Sequence, residues 1–393
     1  MSEKKVFLKK DKERVVLQNR HPWIFSGAID SVPVDFSSGD IASLYSYEGE
    51  FLAIAYFHLE NSLSGRILSF EKKTVEVILK EKIQAAFAFR QALFDKMSTN
   101  CFRGINAEED GLPGLIVDFY DGVLVLQINT CGMEKLRSLL VEILVSVLSP
   151  RSIYEKSNSS SRVQEGLLKQ EGLLYGDEVS RVVVLENGIQ FEVSITEGQK
   201  TGFFLDQREM RRKIGELSKG KSVLNCFSYS GGFSLYALQG GASHVTSVDT
   251  CHKASELARR NTELNGFSLG SHRVVEEDVF TFLEKEDLSV YDIIILDPPA
   301  FAKKRVDVEP ASKGYRQLAQ SVFERGKKDA LLLTCSCSYF ITAELFQQII
   351  FRAASSSKKE VKILSNHIHA MDHPISLYHP EGDYLKSLLL WIS

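Results

Sequence analysis

The sequence predicts an α/β protein. Its C-terminal half should be a doubly wound parallel sheet, preceded by a small β-barrel and a mixed α/β middle segment. Three observations predict this. From about residue 200 onward, strand-length apolar runs alternate with amphipathic stretches of helical period, the pattern of a parallel sheet covered on both faces. The first 72 residues instead hold short apolar runs punctuated by turn residues, as a small barrel does. At 393 residues the chain exceeds one ordinary core and asks for two or three domains.

Composition narrows the class. A hydrophobic share of 44% and a charged share of 25% belong to a soluble globular chain. No apolar run approaches the roughly 20 residues that span a bilayer, so no membrane association is expected. The opening "MSEKKVFLKKDKERVV" has charges without an apolar core or a cleavage site, unlike a secretory signal. Six cysteines at 101, 131, 226, 251, 335 and 337 show no framework spacing, which suits a reducing cytoplasm. The net charge of −4 excludes polyanion binding by the whole surface, so a nucleic-acid partner needs a local basic patch. One candidate is the first 25 residues, where Lys4, Lys5, Lys9, Lys10, Lys12, Arg14 and Arg20 face three acids; ordinary surface lysines on a β-rich segment would read the same way.

In chain order, "KVFLKK", "RVVLQ", "IASLYSYEGEFLAIAYFH" and "SGRILSF" read as barrel strands over residues 1–72. "KTVEVILKEKIQAAFAFRQALFDKM" reads as a helix and opens a central α/β segment, 73–190. Within it, "GLPGLIVDFYDGVLVLQIN" is a hairpin turning at Asp121-Gly122, and "VVVLENGIQFEVSIT" another turning at Asn187-Gly188. "MEKLRSLLVEILVSVL" is an amphipathic helix, "SIYEKS" a strand and "SNSSSRVQEG" a loop. Over 191–393, "SVLNCF", "HVTSVD", "RVVEED", "YDIIILD", "DALLLTCS", "VKILSN" and "YLKSLLLWI" are strands separated by helices such as "ASELARRNTELNG".

The strand ends of this last segment carry the chemistry. "NCFSYSGGFSLYAL" is a strand, a Gly231-Gly232 turn and a helix, an arrangement that lets backbone and a helix N-terminus approach a ligand. It lacks a full G-x-G-x-x-G, which weakens a dinucleotide reading. The next strand ends in Asp249, placed to accept ribose hydroxyls, and the third reaches Asp278, whose carboxylate or following N–H at Val279 could meet an adenine edge. Each acid alone is as readily a helix N-cap; the succession favours an adenosine-bearing cofactor. The fourth strand runs into Asp297-Pro298-Pro299, which cannot continue a central strand and forms a stiff loop where such sheets bind ligands. The fifth emerges as "TCSCS", where the two thiols admit four readings: a metal pair, a redox pair, packing, or one nucleophile with a bystander.

The words "RHPWIFSGAI", "EEDGLPGLIVDFY", "GQKTGFFLDQR", "VLNCFSYSGGFSLYAL", "DPPAFAKKR…GYRQL", "TCSCS" and "HPEGDYLKSL" run in family order from about residue 7 to 390. In them the chain resembles the bacterial large-subunit rRNA cytosine-5 methyltransferases that carry an N-terminal PUA domain. The resemblance implies a PUA β-barrel, a small central α/β domain and a class I (Rossmann-like) S-adenosylmethionine (SAM) methyltransferase domain. It implies SAM contacts from Gln207, Arg208, the Asn225–Gly231 loop with Phe227 and Ser228, and from Asp249, Asp278, Val279 and Asp297. It further implies 23S rRNA, free or in an assembling large subunit, as substrate in the cytoplasm. An exposed β-rich middle domain is compatible with a homodimer.

The family's nucleophile lies in "SCS", hence on Cys337, with Cys335 a neighbour. Cytosine C5 is too weakly nucleophilic to take a methyl group directly, and a thiolate adding at C6 makes it enamine-like. Only a thiolate attacks, so a cation or helix N-terminus must favour it; Lys303, Lys304 and Arg305 are candidates, with phosphate contact the competing role. Many RNA cytosine-5 methyltransferases carry a second cysteine in the fourth-strand motif, where this chain has Asp297-Pro298-Pro299-Ala300, so removal of the C5 proton falls to Asp297 or a water. Pro298, Pro299, Phe301 and Lys303 are expected on the substrate side, with Tyr315 and Arg316 positioning the base or RNA. Trp23 is expected in the barrel core. No metal is expected, because "CSC" has no matching His or Cys pair. Two other readings stand beside this one: N-methylation of a guanine or adenine, for which Asp-Pro-Pro would hold an exocyclic amine, and a noncatalytic RNA-binding assembly factor.

Overall fold

The computed structural model describes residues 3–393, with the backbone alone at Val15. Met1 and Ser2, which begin the segment expected to form the barrel, lie outside the described residues. The chain divides into two compact units: residues 1–188, 193–205 and 371–382, and residues 189–192, 206–370 and 383–393.

The first unit opens with β1 (Lys5–Leu8), helix α1 (Glu13–Asn19), β2 (Trp23–Phe25), β3 (Ile29–Ser31), β4 (Ile41–Tyr45), β5 (Phe51–Phe57) and β6 (Leu63–Ser69). They form a six-stranded sheet in the order β2-β6-β5-β4-β1-β3. Within the segment "RVVLQ", expected as a strand, the chain is helical instead. Its β-branched run favours a strand locally, but only Val16 among its described side chains is buried, so packing one side of a short helix suffices. Val6, Leu8, Ile24, Leu44 and Phe57 fill the inner core of this sheet.

Helix α2 (Val75–Leu93) leads to β7 (Cys101–Asn106), β8 (Leu115–Tyr120) and β9 (Val123–Ile128), then α3 (Cys131–Lys135), α4 (Arg137–Leu148), β10 (Ser152–Ser157), α5 (Ser160–Gln164) and β11 (Gln170–Gly176). The sheet runs β11-β10-β9-β8-β7. Asp121 and Gly122 both have positive φ (45° and 86°), as a two-residue turn between β8 and β9 requires. Two details depart from expectation. The helix after β9 breaks at Leu136, and the polar loop holds α5, capped by Ser159. Ile54 and Tyr56 of β5 join the core beneath this second sheet, so β5 is buried on both faces. A hairpin of β12 (Arg181–Glu186) and β13 (Ile189–Ser194), turning at Asn187-Gly188, carries the chain onward.

The second unit comprises α6 (Arg208–Leu217), β14 (Ser222–Cys226), α7 (Gly232–Gln239), β15 (His244–Asp249), α8 (His252–Leu264), β16 (His272–Glu276), α9 (Val279–Lys285), β17 (Ile293–Leu296), α10 (Val308–Arg325), β18 (Leu331–Ser336), α11 (Ala343–Ser356), β19 (Val361–Asn366) and β20 (Lys386–Ile392). The seven-stranded sheet has the order β16-β15-β14-β17-β18-β20-β19. The first five strands are parallel, in register from Val223↔Val245 to Ile293↔Leu331. The expectation of a wholly parallel sheet needs one correction: β20 lies antiparallel between β18 and β19. Strand order reverses between β14 and β17, and that switch point opens a crevice at the strands' C-terminal ends.

Candidate active site

Five strand ends meet at that edge, each with a residue singled out from the sequence. Beyond β14, Phe227 (φ 60°), Tyr229 (φ 47°) and Gly231 (φ 81°) alternate through a left-handed turn. Two non-glycine residues in that region cost about 1–3 kcal/mol each, the strain that collects at ligand sites. Gly231 ends the turn where α7 begins; an added Cβ there would lie 3.2 Å from Ala258 Cβ.

Asp249 ends β15. Its Oδ2 accepts from the Tyr229 N–H at 2.9 Å and its Oδ1 from the Cys251 N–H at 2.9 Å. The acid thus ties the turn to its neighbouring strand and keeps a lone pair on each oxygen for a ligand hydroxyl. Asp278 is exposed and caps α9, accepting from the Thr281 N–H at 3.0 Å, while the Val279 side chain is in the core. An outward role at this position therefore rests on the Asp278 carboxylate and the Val279 backbone.

Gln207 and Arg208, where α6 begins, are buried at 3% and 0% exposure. The Gln207 side chain donates from Nε2 to Asp297 Oδ2 at 3.1 Å, joining it to the loop after β17. Three buried polar atoms here have no hydrogen-bond partner among the described residues: Gln207 Oε1, Asn225 Oδ1 and Ser228 Oγ. Each such orphan costs about 1–3 kcal/mol, which a polar ligand would offset. With the turn at Gly231 and the Asp249 carboxylate, this donor and acceptor set fits an adenosine-bearing cofactor. SAM bound there would supply an electrophilic methyl group, held by Gln207, Asn225, Ser228, Asp249 and the turn.

The thiols separate cleanly. β18 continues through Ser336, so Thr334, Cys335 and Ser336 lie inside the strand and only Cys337 and Ser338 lie beyond it. Cys335 is fully buried; burial, then the Asp297 charge, pushes its thiol well above the ordinary range. Cys337 is half-buried, with Sγ 3.9 Å from the Pro298 carbonyl oxygen. The loop that carries it is braced from below. The Tyr315 hydroxyl lies 3.0 Å from Ser338 Oγ and accepts from Ser336 Oγ at 3.0 Å, and the Ala302 N–H donates to Ser338 Oγ at 3.1 Å.

This bracing changes the picture for residues expected to touch substrate. Tyr315, at 1% exposure, cannot stack on a base; it sits on the apolar stripe of α10 with Ala311, Leu318 and Val322. Phe301 packs on it at 4.8 Å between ring centroids. Pro298 is buried and Pro299 exposed. Lys303, Lys304 and Arg305 are exposed, and Arg316 is exposed with its guanidinium on Ser356 Oγ at 2.8 Å. Beyond Cys337, Tyr339 and Phe340 expose an edge-to-face aromatic pair at 5.3 Å. Sequence reasoning missed Lys386 at the head of β20, a buried ammonium that donates to the Ser338 carbonyl at 2.8 Å. The sequence shows a lysine leading a largely apolar strand, but what that lysine faces depends on the strand's neighbour, β18.

In the first unit, three of the quoted words converge on one polar cluster. Trp23 is half-buried, not core as expected; its indole N–H donates to Glu108 at 3.0 Å and its ring meets His379 edge-on at 4.6 Å. His379 Nδ1 lies 2.7 Å from Glu109 and His21 Nε2 lies 3.3 Å from Glu381. Elsewhere in that unit the ligand atoms of His58, Cys131 and Glu165 lie within 4.8 Å of one another. Glu165 is already paired with the Arg66 guanidinium at 2.8 Å, and burial followed by the Glu165 charge pushes the Cys131 thiol up to about 12. That trio is a buried hydrogen-bond network.

Comparison with known proteins decides the family. Residues 112–373 match the model of the S-adenosylmethionine-dependent methyltransferases, and residues 6–70 match that of the PUA-like domain. The chain belongs to the S-adenosylmethionine-dependent methyltransferases. Relatives named ribosomal RNA large subunit methyltransferase I include that of Pseudoalteromonas translucida, 38% identical over 95% of this chain and 96% of the relative. That of Tolumonas auensis is 39% identical over 98% of each. Among solved structures, a provisionally assigned methyltransferase in complex with SAH superposes over the full length of both chains (TM-score 0.83, 26% identity). A provisionally assigned SAM-dependent methyltransferase from Streptococcus mutans has a TM-score of 0.82 at 26% identity, covering 98% of this chain and 99% of the other. This methyltransferase uses SAM, and its fold is α/β with a PUA-like N-terminal segment. Among its described residues, no helix is long and apolar enough to cross a membrane.

Proposed function

We propose that this methyltransferase transfers a methyl group to C5 of a cytosine in large-subunit ribosomal RNA through a covalent adduct on Cys337. The observation that carries the reading is the position of Cys337. Its half-buried thiol lies at the end of β18 beside the Asp297-Pro298 loop, on the same sheet edge as the cofactor residues, while Cys335 is sealed inside the strand. The names of the full-length relatives support ribosomal RNA as the substrate. We assign Gln207, Arg208, Asn225, Phe227, Ser228, Gly231, Asp249, Asp278, Val279 and Asp297 to cofactor binding. Pro298, Pro299, Phe301 and Lys303 line the substrate side, and Arg316 contacts RNA. The segments 1–72, 73–190 and 191–393 act as RNA-binding barrel, central domain and catalytic domain.

In this scheme the Cys337 thiolate adds to C6 and the electron pair moves to C5. C5 then takes the methyl group, which SAM held by Gln207, Asn225, Ser228 and Asp249 would supply. A base removes the C5 proton, and the C6–S bond breaks to return the thiolate. The carboxylate of Asp297, held by Gln207, is the nearest acid of the loop to serve as that base. The base must leave its stack to reach the crevice, and exposed Tyr339 and Phe340 offer it a surface.

The test is nucleoside mass spectrometry of 23S rRNA from cells lacking the enzyme, incubated with the purified protein and labelled SAM. Labelled 5-methylcytidine from wild type and from Cys335→Ala, but not from Cys337→Ala, is the expected result. Label in another base, or label unaffected by Cys337→Ala, would replace this reading with amine methylation. Failure to bind SAM would leave an RNA-binding assembly factor.

A further inference from the structure

The first residue of β20 brings a charge into the core beneath the nucleophile's loop. Lys386 pairs in register with Ser336 across β18 and β20, two residues from the loop's turn. Its side chain is buried at 7% exposure, and Nζ donates to the Ser338 carbonyl at 2.8 Å and the Tyr384 carbonyl at 2.7 Å. An ammonium has three donors, and no third acceptor for Lys386 exists among the described residues. Among the described residues no carboxylate bonds it directly, and its hydrogen bonds go to two backbone carbonyls. Such a charge is stable only with an anion nearby. The cations expected from the sequence, Lys303, Lys304 and Arg305, all stand exposed in solvent.

We propose that Lys386 is the counter-ion that keeps Cys337 as a thiolate, a positioning residue acting through the sulfur. This rests on Cys337 being the nucleophile. The proton balance is simple. The thiol S–H bond breaks and its proton passes to solvent, leaving a thiolate one residue from the carbonyl that holds the Lys386 ammonium. When the C6–S bond breaks at the end of turnover, the thiolate returns to the same ammonium and no further proton is needed. The local electrostatics agree: burial pushes the Lys386 ammonium down to about 8, and the charge on Cys337, then that on Asp383, pull it back up. The other titratable groups facing the pair are Tyr315 from α10, Cys335 from β18, Asp297 after β17, and Asp383 before β20.

The experiment is the pH dependence of iodoacetamide alkylation at Cys337 in the full chain, read by peptide mass spectrometry, with exposed Cys251 as internal reference. In the wild type, Cys337 should titrate at lower pH than Cys251; if it does not, the proposal fails whatever the variants do. Lys386→Met should slow Cys337 alkylation at pH 7.5 by about tenfold or more and move its profile up in pH. Lys386→Arg, which keeps a charge in the same place, should restore most of the rate. An unchanged Cys337 profile in a folded Lys386→Met protein would overturn the proposal, as would an Arg variant no better than Met. Because alkylation does not require methyl transfer, a Cys337→Ala enzyme that still methylates would remove the nucleophile assignment without altering this readout.

Discussion

Gln207 donates a 3.1 Å hydrogen bond from Nε2 to Asp297 Oδ2, and the buried Cys335 thiol lies against the same carboxylate. Asp297 is thus oriented from two sides at the mouth of the switch-point crevice. Asp297→Asn keeps the shape and removes the charge, and should lower turnover by about 10²–10⁴, the usual worth of a positioned acid or base. Gln207→Leu removes one bond to a charged group, worth about 1.5–3 kcal/mol, and should cost about 10- to 100-fold. Steady-state turnover with labelled SAM checks both, and equal losses in the two variants would show that Gln207 acts only through Asp297.

Tyr315 braces the loop that carries Cys337 through its hydroxyl, which bridges Ser336 and Ser338. Tyr315→Phe keeps the ring against Phe301 and Phe346 and deletes that bridge. Turnover should fall about tenfold while SAM affinity, measured by titration calorimetry, stays at the wild-type value. A drop in SAM affinity instead would place the tyrosine's work at the cofactor.

His272 lies at the buried start of β16, its Nε2 2.7 Å from Ser247 Oγ and its Nδ1 2.6 Å from Thr262 Oγ1. Burial, then the positive influence of His244 and Arg259, pushes it down to about 4. Because the folded value lies below the unfolded one, the unfolded chain binds the extra proton first. The stability is fully present above about pH 6.5 and is lost as pH falls toward 4. Between pH 7.5 and 5 the loss should be about 2 kcal/mol. Urea unfolding at the two pH values checks it, and His272→Gln should flatten the difference.

Much of this architecture was legible because local rules and global packing agree. Asp121-Gly122 and Asn187-Gly188 turn where the tight-turn rule puts them, and the strand ends at Asn225, Asp249 and Asp297 gather at one sheet edge. The misreadings have physical causes. Helix α1 hides in a β-branched run because a short helix that buries Val16 among its described side chains needs no strong periodicity. Tyr315 was legible in hindsight, since Ala311, Tyr315, Leu318 and Val322 share one helical face that must point inward. Lys386 was not, because what it faces depends on β20 entering antiparallel beside β18, and no local pattern encodes a strand's neighbour.

That placement of β20 has a consequence for biosynthesis. The strand is made after every other strand of its sheet, yet it lies inside, hydrogen-bonded to β18 on one side and β19 on the other. Chains fold vectorially as they emerge from the ribosome. Until Lys386–Ile392 has left the exit tunnel, β18 and β19 have a gap between them and the Ser338 carbonyl lacks its ammonium. The nascent unit therefore waits with two unpaired strand edges, and the loop after β18 gains its Lys386 bond only when β20 has inserted.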